Sequence, residues 1–295
     1  MPILNFTKMH GCGNDYIYVI AREVRPADPA ALSIRLSDRH FGIGADGLIM
    51  LAPSRVADLG MEMYNADGSR GDMCGNGIRC LARLAYESGI ARKETIAVET
   101  DCGIKTVALT FDRGRVTGAR VDMGEPILEG REIPVAADGR IIEYPLEVAG
   151  RSEKITAVSM GNPHCVVFVN DDGAFKLDVH EFGALGRQFE NHKFFPKRVN
   201  TEFILPVSRT HLKMRVWERG SGETLACGTG ACAALVAAVL TGRSERKAAL
   251  ELRGGNLEIE WPERGAGANH VFMTGEAVSV FSGQIEVGEG ELVAV

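Results

Sequence analysis

No apolar run in this chain is long enough to cross a membrane. The longest, residues 230–240, is rich in Ala and shorter than a span. Runs of Lys or Arg are also missing, and the net charge is −6, so neither nucleic acid nor an anionic membrane is expected as a partner. The N-terminus, MPILNFTKMHG, lacks a basic region followed by an apolar core, and no signal peptide is expected. The seven Cys residues include no CxxC spacing and are odd in number, which argues against a disulfide framework and against a zinc site. A reducing, cytoplasmic setting and no bound metal are the expectations. Glycine, by contrast, is abundant at 35 residues, about 12% against a usual 7%.

Much of that glycine lies in a motif that occurs twice. Residues 74–89 read CGNGIRCLARLAYESG and residues 227–242 read CGTGACAALVAAVLTG, so the two Cys lie 153 positions apart (74 to 227). Each copy places a Cys, then Gly, at the start of a helical run, with Gly89 or Gly242 at the C-cap. The free N–H groups and positive dipole end of such a helix stabilise anions, so each Cys is expected to lean toward thiolate. In the first helix Ile78, Leu81, Ala82 and Ala85 form the buried face, and Arg79 and Arg83 are expected to face outward. The second, apolar on every side from Ala231 to Leu240, must be enclosed.

The flanking pattern repeats too. Strand 3–8, the loop His10–Asp15 and strand Tyr16–Ile20 precede a helix over 28–38 that Asp28 caps with Pro29 at its first position. Strand 154–160, the loop Gly161–His164 and strand Cys165–Val169 precede a helix over 178–191. Gly13-Asn14 and Gly161-Asn162 are 148 positions apart (13 to 161). Strands 200–206 and 211–217 follow, the latter alternating Leu212, Met214 and Val216 against Lys213, Arg215 and Trp217. FGIGADG (41–47) matches GxGxxG, but it follows a helix and precedes a strand, the reverse of a dinucleotide fingerprint. The expected fold is α+β: two pseudo-symmetric lobes, each a mostly antiparallel or mixed sheet wrapped around a central helix. Residues 1–124, with strand 278–295, form the first lobe and 125–277 the second. The site is expected in the cleft between them.

Two thiols on related lobes suit inversion at carbon, one removing a proton and the other delivering one to the opposite face. Helix N-termini aimed at a carboxylate would stabilise the developing carbanion.

The segments MHGCGNDY (9–16), DRHFGIGADG (38–47), YNADGSRGDMCGNGIRC (64–80), ETDCG (99–103), SMGNPHCV (159–166), RVNTEF (198–203) and WERGSGETLACGTGAC (217–232) resemble the diaminopimelate epimerases. These are cofactor-independent racemases of the two-cysteine family that also includes proline racemases. The resemblance implies interconversion of LL- and meso-diaminopimelate, in lysine and cell-wall precursor synthesis, with no cofactor. It implies Cys74 and Cys227 as acid–base residues, with His164 and Glu218 orienting groups beside them. Gly75, Asn76, Gly228 and Thr229 would meet the reacting carboxylate. Asn14, Asn65, Asn162, Asn200, Glu218 and Arg219 would bind the rest of this small substrate. A homodimer is implied as well. Some members carry Gln where this chain has Gly47.

Plainer readings stand beside these. Cys80, Cys102, Cys165 and Cys232 read as buried small hydrophobes, and Cys12 as structural. The Asn residues could be turn formers, Glu218 and Arg219 a solvated pair, and His164 a surface histidine. Alternative functions are a proline or hydroxyproline racemase, disfavoured by Asn76 where those enzymes usually carry His, a thiol redox protein, and an anion-binding module.

Overall fold

The computed structural model describes residues 1–71, 73–170, 173–265 and 267–295. It divides into two compact units, residues 1–121 with 275–295, and residues 122–274.

The first unit begins with the hairpin β1 (Ile3–Gly11) and β2 (Asn14–Ile20). Its turn is only Cys12-Gly13, both at positive φ (54° and 77°), so the strands run further into the HGCGND segment than expected. A short β3 (Val24–Pro26) leads to α1 (Pro29–Ser37), capped by the Asp28 carboxylate on the Ala31 N–H. Then come β4 (Gly47–Ala52), β5 (Leu59–Asn65), β6 (Arg70–Gly71), α2 (Gly75–Glu87), β7 (Thr95–Thr100), β8 (Gly103–Asp112) and β9 (Arg115–Gly124). The pairings are β1–β2 antiparallel, β2–β4 parallel, β4–β5 antiparallel, β5–β7 parallel, β7–β8 and β8–β9 antiparallel.

The second unit has β10 (Tyr144–Val148), β11 (Arg151–Ser159), β12 (Pro163–Phe168), α3 (Gly173–Lys176), α4 (Val179–Glu190), β13 (Asn200–Ser208), β14 (His211–Glu218), β15 (Gly222–Glu223), α5 (Gly228–Leu240), β16 (Lys247–Leu252), β17 (Gly255–Glu260) and β18 (Val271–Glu276). Its pairings run in the same sequence of directions, from β11–β12 through β12–β13, β13–β14, β14–β16, β16–β17 and β17–β18. The C-terminal β19 (Val278–Glu286) returns to pair with β1, and β20 (Leu292–Ala294) with β3.

The registers repeat as well. Ile17 pairs with Leu48, and Leu48 with Tyr64; Cys165 pairs with Thr201, and Thr201 with Trp217. The repeat therefore matches Tyr16 to His164 at the 148 spacing. At the 153 spacing it matches Gly47 to Asn200, Ile49 to Glu202, Asn65 to Glu218 and Arg79 to Cys232.

Each unit is a curved mixed sheet around its own helix, α2 in the first and α5 in the second, with α1 or α4 on the other face. α5 is buried from Gly230 to Ala238, because an apolar cylinder must be covered all round. The first unit's outer core gathers Leu32 and Leu36 of α1 with Ile17, Leu48 and Met50. The second unit's gathers Phe182 and Phe189 of α4 with Phe203 and Trp217.

Two expectations are corrected, for Arg79 and Cys102, and β14 is buried on both faces toward its end. Arg79 is fully buried, because α2 is covered nearly all round, and i, i+3 spacing puts Arg79 on the side of Ala82. Arg215 and Trp217 are buried too: α4 covers that face of β14, with the Arg215 guanidinium 3.8 Å from the Phe182 ring centre and Trp217 against Gly183 and Gly186. Cys102, in the β7–β8 turn, is exposed and not a core residue.

Candidate active site

Cys74 and Cys227 are the N-caps of α2 and α5. Both have extended backbones, with φ −119° and ψ 117° at Cys74, and φ −124° and ψ 112° at Cys227. Each Sγ accepts the N–H of the Gly three residues on, Gly77 at 3.3 Å and Gly230 at 3.4 Å. The sulfur thus takes the place that a Ser or Asp oxygen has in an ordinary cap. Glycine at that third position is demanded by space. A Cβ on Gly77 would lie 2.5 Å from Ile49 Cδ1, and one on Gly230 would lie 2.6 Å from Glu202 Oε1 and 3.2 Å from Cys227 Sγ.

Around Cys74 the partners are amides. Its thiol donates to Asn14 Oδ1 at 3.2 Å, and Asn14 Nδ2 donates to Asp46 at 2.7 Å. Asp46 is itself paired with Arg39 at 2.9 Å. Asn76 Nδ2 also points at Asn14 Oδ1, at 3.4 Å, while its own Oδ1 accepts from Arg79 at 3.0 Å. Burial pushes the Cys74 thiol up. The Gly77 N–H, the Tyr16 hydroxyl, the Asn76 N–H and the Arg79 charge oppose it.

Around Cys227 the partners are carboxylates. Burial pushes this thiol far above its ordinary range, and the charges of Glu218 and Glu202 push it further; the Thr229 hydroxyl and the Gly230 N–H oppose. The expectation that both sulfurs lean to thiolate is therefore corrected: desolvation outweighs the helix tip, most strongly at Cys227. Glu218 is in turn held above the usual carboxylate range by burial, against hydrogen bonds from Thr224 and Cys227.

His164 is fully buried and not a surface histidine. Its Nδ1 lies 2.7 Å from Glu202 Oε1 and its Nε2 lies 2.9 Å from Asn162 Oδ1. The other Glu202 oxygen, also buried, has no hydrogen-bond partner among the described residues.

The remaining candidates are engaged within their own units. Asn200 donates to the Pro163 carbonyl at 3.1 Å and accepts the Arg219 N–H at 2.8 Å, so it braces the end of β14. The exposed Arg219 side chain reaches the Lys197 carbonyl. Asn65 donates to Ser69 at 2.9 Å and is not hydrogen-bonded to Cys74. Gly75 and Gly228 are the buried first residues of their helices. A Cβ on Gly47 would lie 2.2 Å from the Tyr64 carbonyl oxygen, so this backbone admits no Gln there. Sequence reasoning missed Tyr16, Asp46, Arg79, Glu202 and Thr224. Register repetition is the signal for one of them, since Tyr16 matches the candidate His164.

Among the described residues no group of three or more His, Cys, Asp or Glu could hold a metal ion, and no helix is long and apolar enough to cross a membrane.

The sequence profile described as "Diaminopimelate epimerase" matches residues 6–129 and 156–280. A diaminopimelate epimerase from Agathobacter rectalis is 53% identical over 293 residues, 96% of this chain and 100% of its own. One from Methanococcus maripaludis is 47% identical over 285 residues, 96% of this chain and 100% of its own. The chain belongs to the diaminopimelate epimerase family. Solved structures with the same fold lie further off in sequence. A phenazine biosynthesis protein of the PhzF family from Enterococcus faecalis has a TM-score of 0.68 at 14% identity, covering 97% of this chain and 100% of its own. A hydroxyproline epimerase from Agrobacterium vitis has a TM-score of 0.66 at 14% identity, covering 97% and 91%. At that identity the likeness shows the fold alone. Both family segments end beyond a Cys helix, so each half of the profile carries one of the two capping thiols.

Proposed function

We propose that this chain interconverts LL- and meso-diaminopimelate by proton transfer at one α-carbon, with Cys74 and Cys227 as the two acid–base groups. The observation that carries the reading is the repeated cap. Two thiols in this one chain each end a Gly-flanked helix and accept the N–H of the third helical residue.

One sulfur, as thiolate, takes the α-proton. The bond electrons stay on carbon, delocalised into the adjacent carboxylate, and the other thiol gives its proton to the opposite face. The first sulfur is then the thiol and the second the thiolate, which is the arrangement the reverse reaction starts from. An amino-acid α-proton is only weakly acidic, so the carboxylate needs donors where negative charge grows. The N–H groups of Gly75, Asn76, Gly228 and Thr229 at the helix starts are suited to that. Glu218, buried and accepting a hydrogen bond from Cys227, orients that thiol. Asn14, Asn65, Asn162, Asn200, Glu218 and Arg219 complete the reading as contacts for the distal zwitterion, with His164 orienting Asn162. Neither pyridoxal phosphate nor metal takes part in it. Action in the cytoplasm, as a homodimer without nucleic-acid or membrane partners, belongs to the same reading.

The test is incubation of the reduced protein with LL-diaminopimelate in D2O, without pyridoxal phosphate or metal. Meso product carrying deuterium at the inverted carbon is expected. Absence of both exchange and meso product would overturn the reading, and exchange of proline instead would move the assignment to a proline racemase.

A further inference from the structure

Arg79 is the largest fully buried side chain, and nothing in the reaction as written uses it. Its Nε–H donates to the Glu276 carbonyl at 3.0 Å; its two terminal nitrogens donate to the Gly75 carbonyl at 3.1 Å and to Asn76 Oδ1 at 3.0 Å. Gly11 is shaped around it, since a Cβ there would lie 2.7 Å from an Arg79 terminal nitrogen. A guanidinium donates in fixed directions in one plane, so it sets the orientation of whatever it holds. Holding Asn76 by its oxygen turns Nδ2 of Asn76 toward Asn14 Oδ1. Asp46, holding Asn14 by its nitrogen, keeps that same Oδ1 aimed at the Cys74 sulfur. Burying a guanidinium carries a desolvation cost that a well-packed apolar residue would not. The matching position of the other unit has no cation at all: it is Cys232.

We propose that Arg79 is a positioning residue for Cys74, fixing Asn76 and through it Asn14, and placing a positive charge behind this thiol that Cys227 does not have. The proposal rests on the reading of Cys74 as a reacting thiol. The ionisable groups around the pair are Tyr16 and Tyr18 of β2, Cys12 of the hairpin turn, Asp46 before β4 with its partner Arg39, Cys80 on α2 and Glu276. Among the described residues, Arg79 is the cation that acts on the Cys74 sulfur itself, Arg39 being engaged by Asp46.

The experiment is alkylation of each thiol by iodoacetamide across pH, followed by peptide mass spectrometry, alongside kcat and KM. Cys227 in the same sample is the internal reference. In Arg79→Met, Cys74 should need higher pH to react and be alkylated about tenfold more slowly at pH 7, with Cys227 unchanged. Folded Arg79→Met with an unchanged Cys74 profile, or with both thiols altered alike, would overturn the proposal. Should that variant not fold, Arg79→Lys decides. Its ammonium keeps the charge but cannot hold Gly75 and Asn76 together, so Cys74 should react at the wild-type rate while kcat falls about tenfold. Wild-type kcat in Arg79→Lys would overturn the fixing role. Inversion that survives in Cys74→Ser would remove the premise about Cys74 and would leave the alkylation profiles as they are, so the two failures differ.

Discussion

The two units share a backbone and differ in what they set around the sulfur. Tyr16, Ile49, Asn65 and Arg79 stand in the first unit where His164, Glu202, Glu218 and Cys232 stand in the second. Cys74 thus meets neutral donors and a cation, and Cys227 meets carboxylates. Unequal surroundings bias which of two such sulfurs holds the proton. Duplication supplies two caps of the same geometry, and divergence of the residues behind them makes the caps unequal. At Cys74 burial is opposed by the Gly77 N–H, the Tyr16 hydroxyl, the Asn76 N–H and the Arg79 charge; at Cys227 it is reinforced by Glu218 and Glu202.

The largest effect is expected from removing either sulfur. Cys74→Ser and Cys227→Ser should each lower inversion by about a thousandfold or more, since a hydroxyl holds its proton far too tightly for acid–base work near neutrality. Deuterium wash-in and chiral chromatography read this directly. Retention of inversion in either variant would end the two-thiol comparison.

Glu218→Gln sharpens the comparison and should cost about a hundredfold in kcat. The sign of its second effect is the informative part. Glu218 is a negative neighbour that raises the Cys227 thiol, so its neutralisation should shift the Cys227 alkylation profile to lower pH. Cys227 would become more reactive toward iodoacetamide while the enzyme became slower. Slower alkylation of Cys227, or a shift at Cys74 of the same size, would show that the carboxylate does not set the inequality.

Much of this was legible in the chain itself. The doubled CGxG element, the helix starts and the repeated strand order come from local spacing, which a sequence displays. The α+β two-unit fold followed from the 153 spacing together with the enclosed apolar helix. Burial of charged residues was not legible. Arg79 looks like an outward residue because its neighbours Ile78 and Leu81 already define an inner face; only the sheet curving round α2 covers the rest. Arg215 is hidden by α4, an element about 30 residues away in sequence. The same holds for the proton affinity of the thiols, where the helix tip is a local term and desolvation is a tertiary one. Short pairings such as β3 with β20 span nearly the whole chain and carry no periodicity.

The smallest effects test the shared geometry and not the difference, through the glycine that lets each sulfur cap its helix. Gly77→Ala brings a methyl against Ile49 Cδ1, the far end of a flexible side chain that can turn away. Gly230→Ala brings it against Glu202 Oε1, the oxygen engaged by His164 at 2.7 Å. Overpacking of this kind costs about 1–3 kcal/mol. The Gly77 variant should lie near the bottom of that range and the Gly230 variant at the top, because displacing Glu202 also strains its buried hydrogen bond with His164. Urea unfolding midpoints of the two variants give the order. Equal losses would mean that Glu202 moves as freely as an isoleucine methyl, and that the His164–Glu202 pair is not the rigid backing on which the contrast between the two thiols depends.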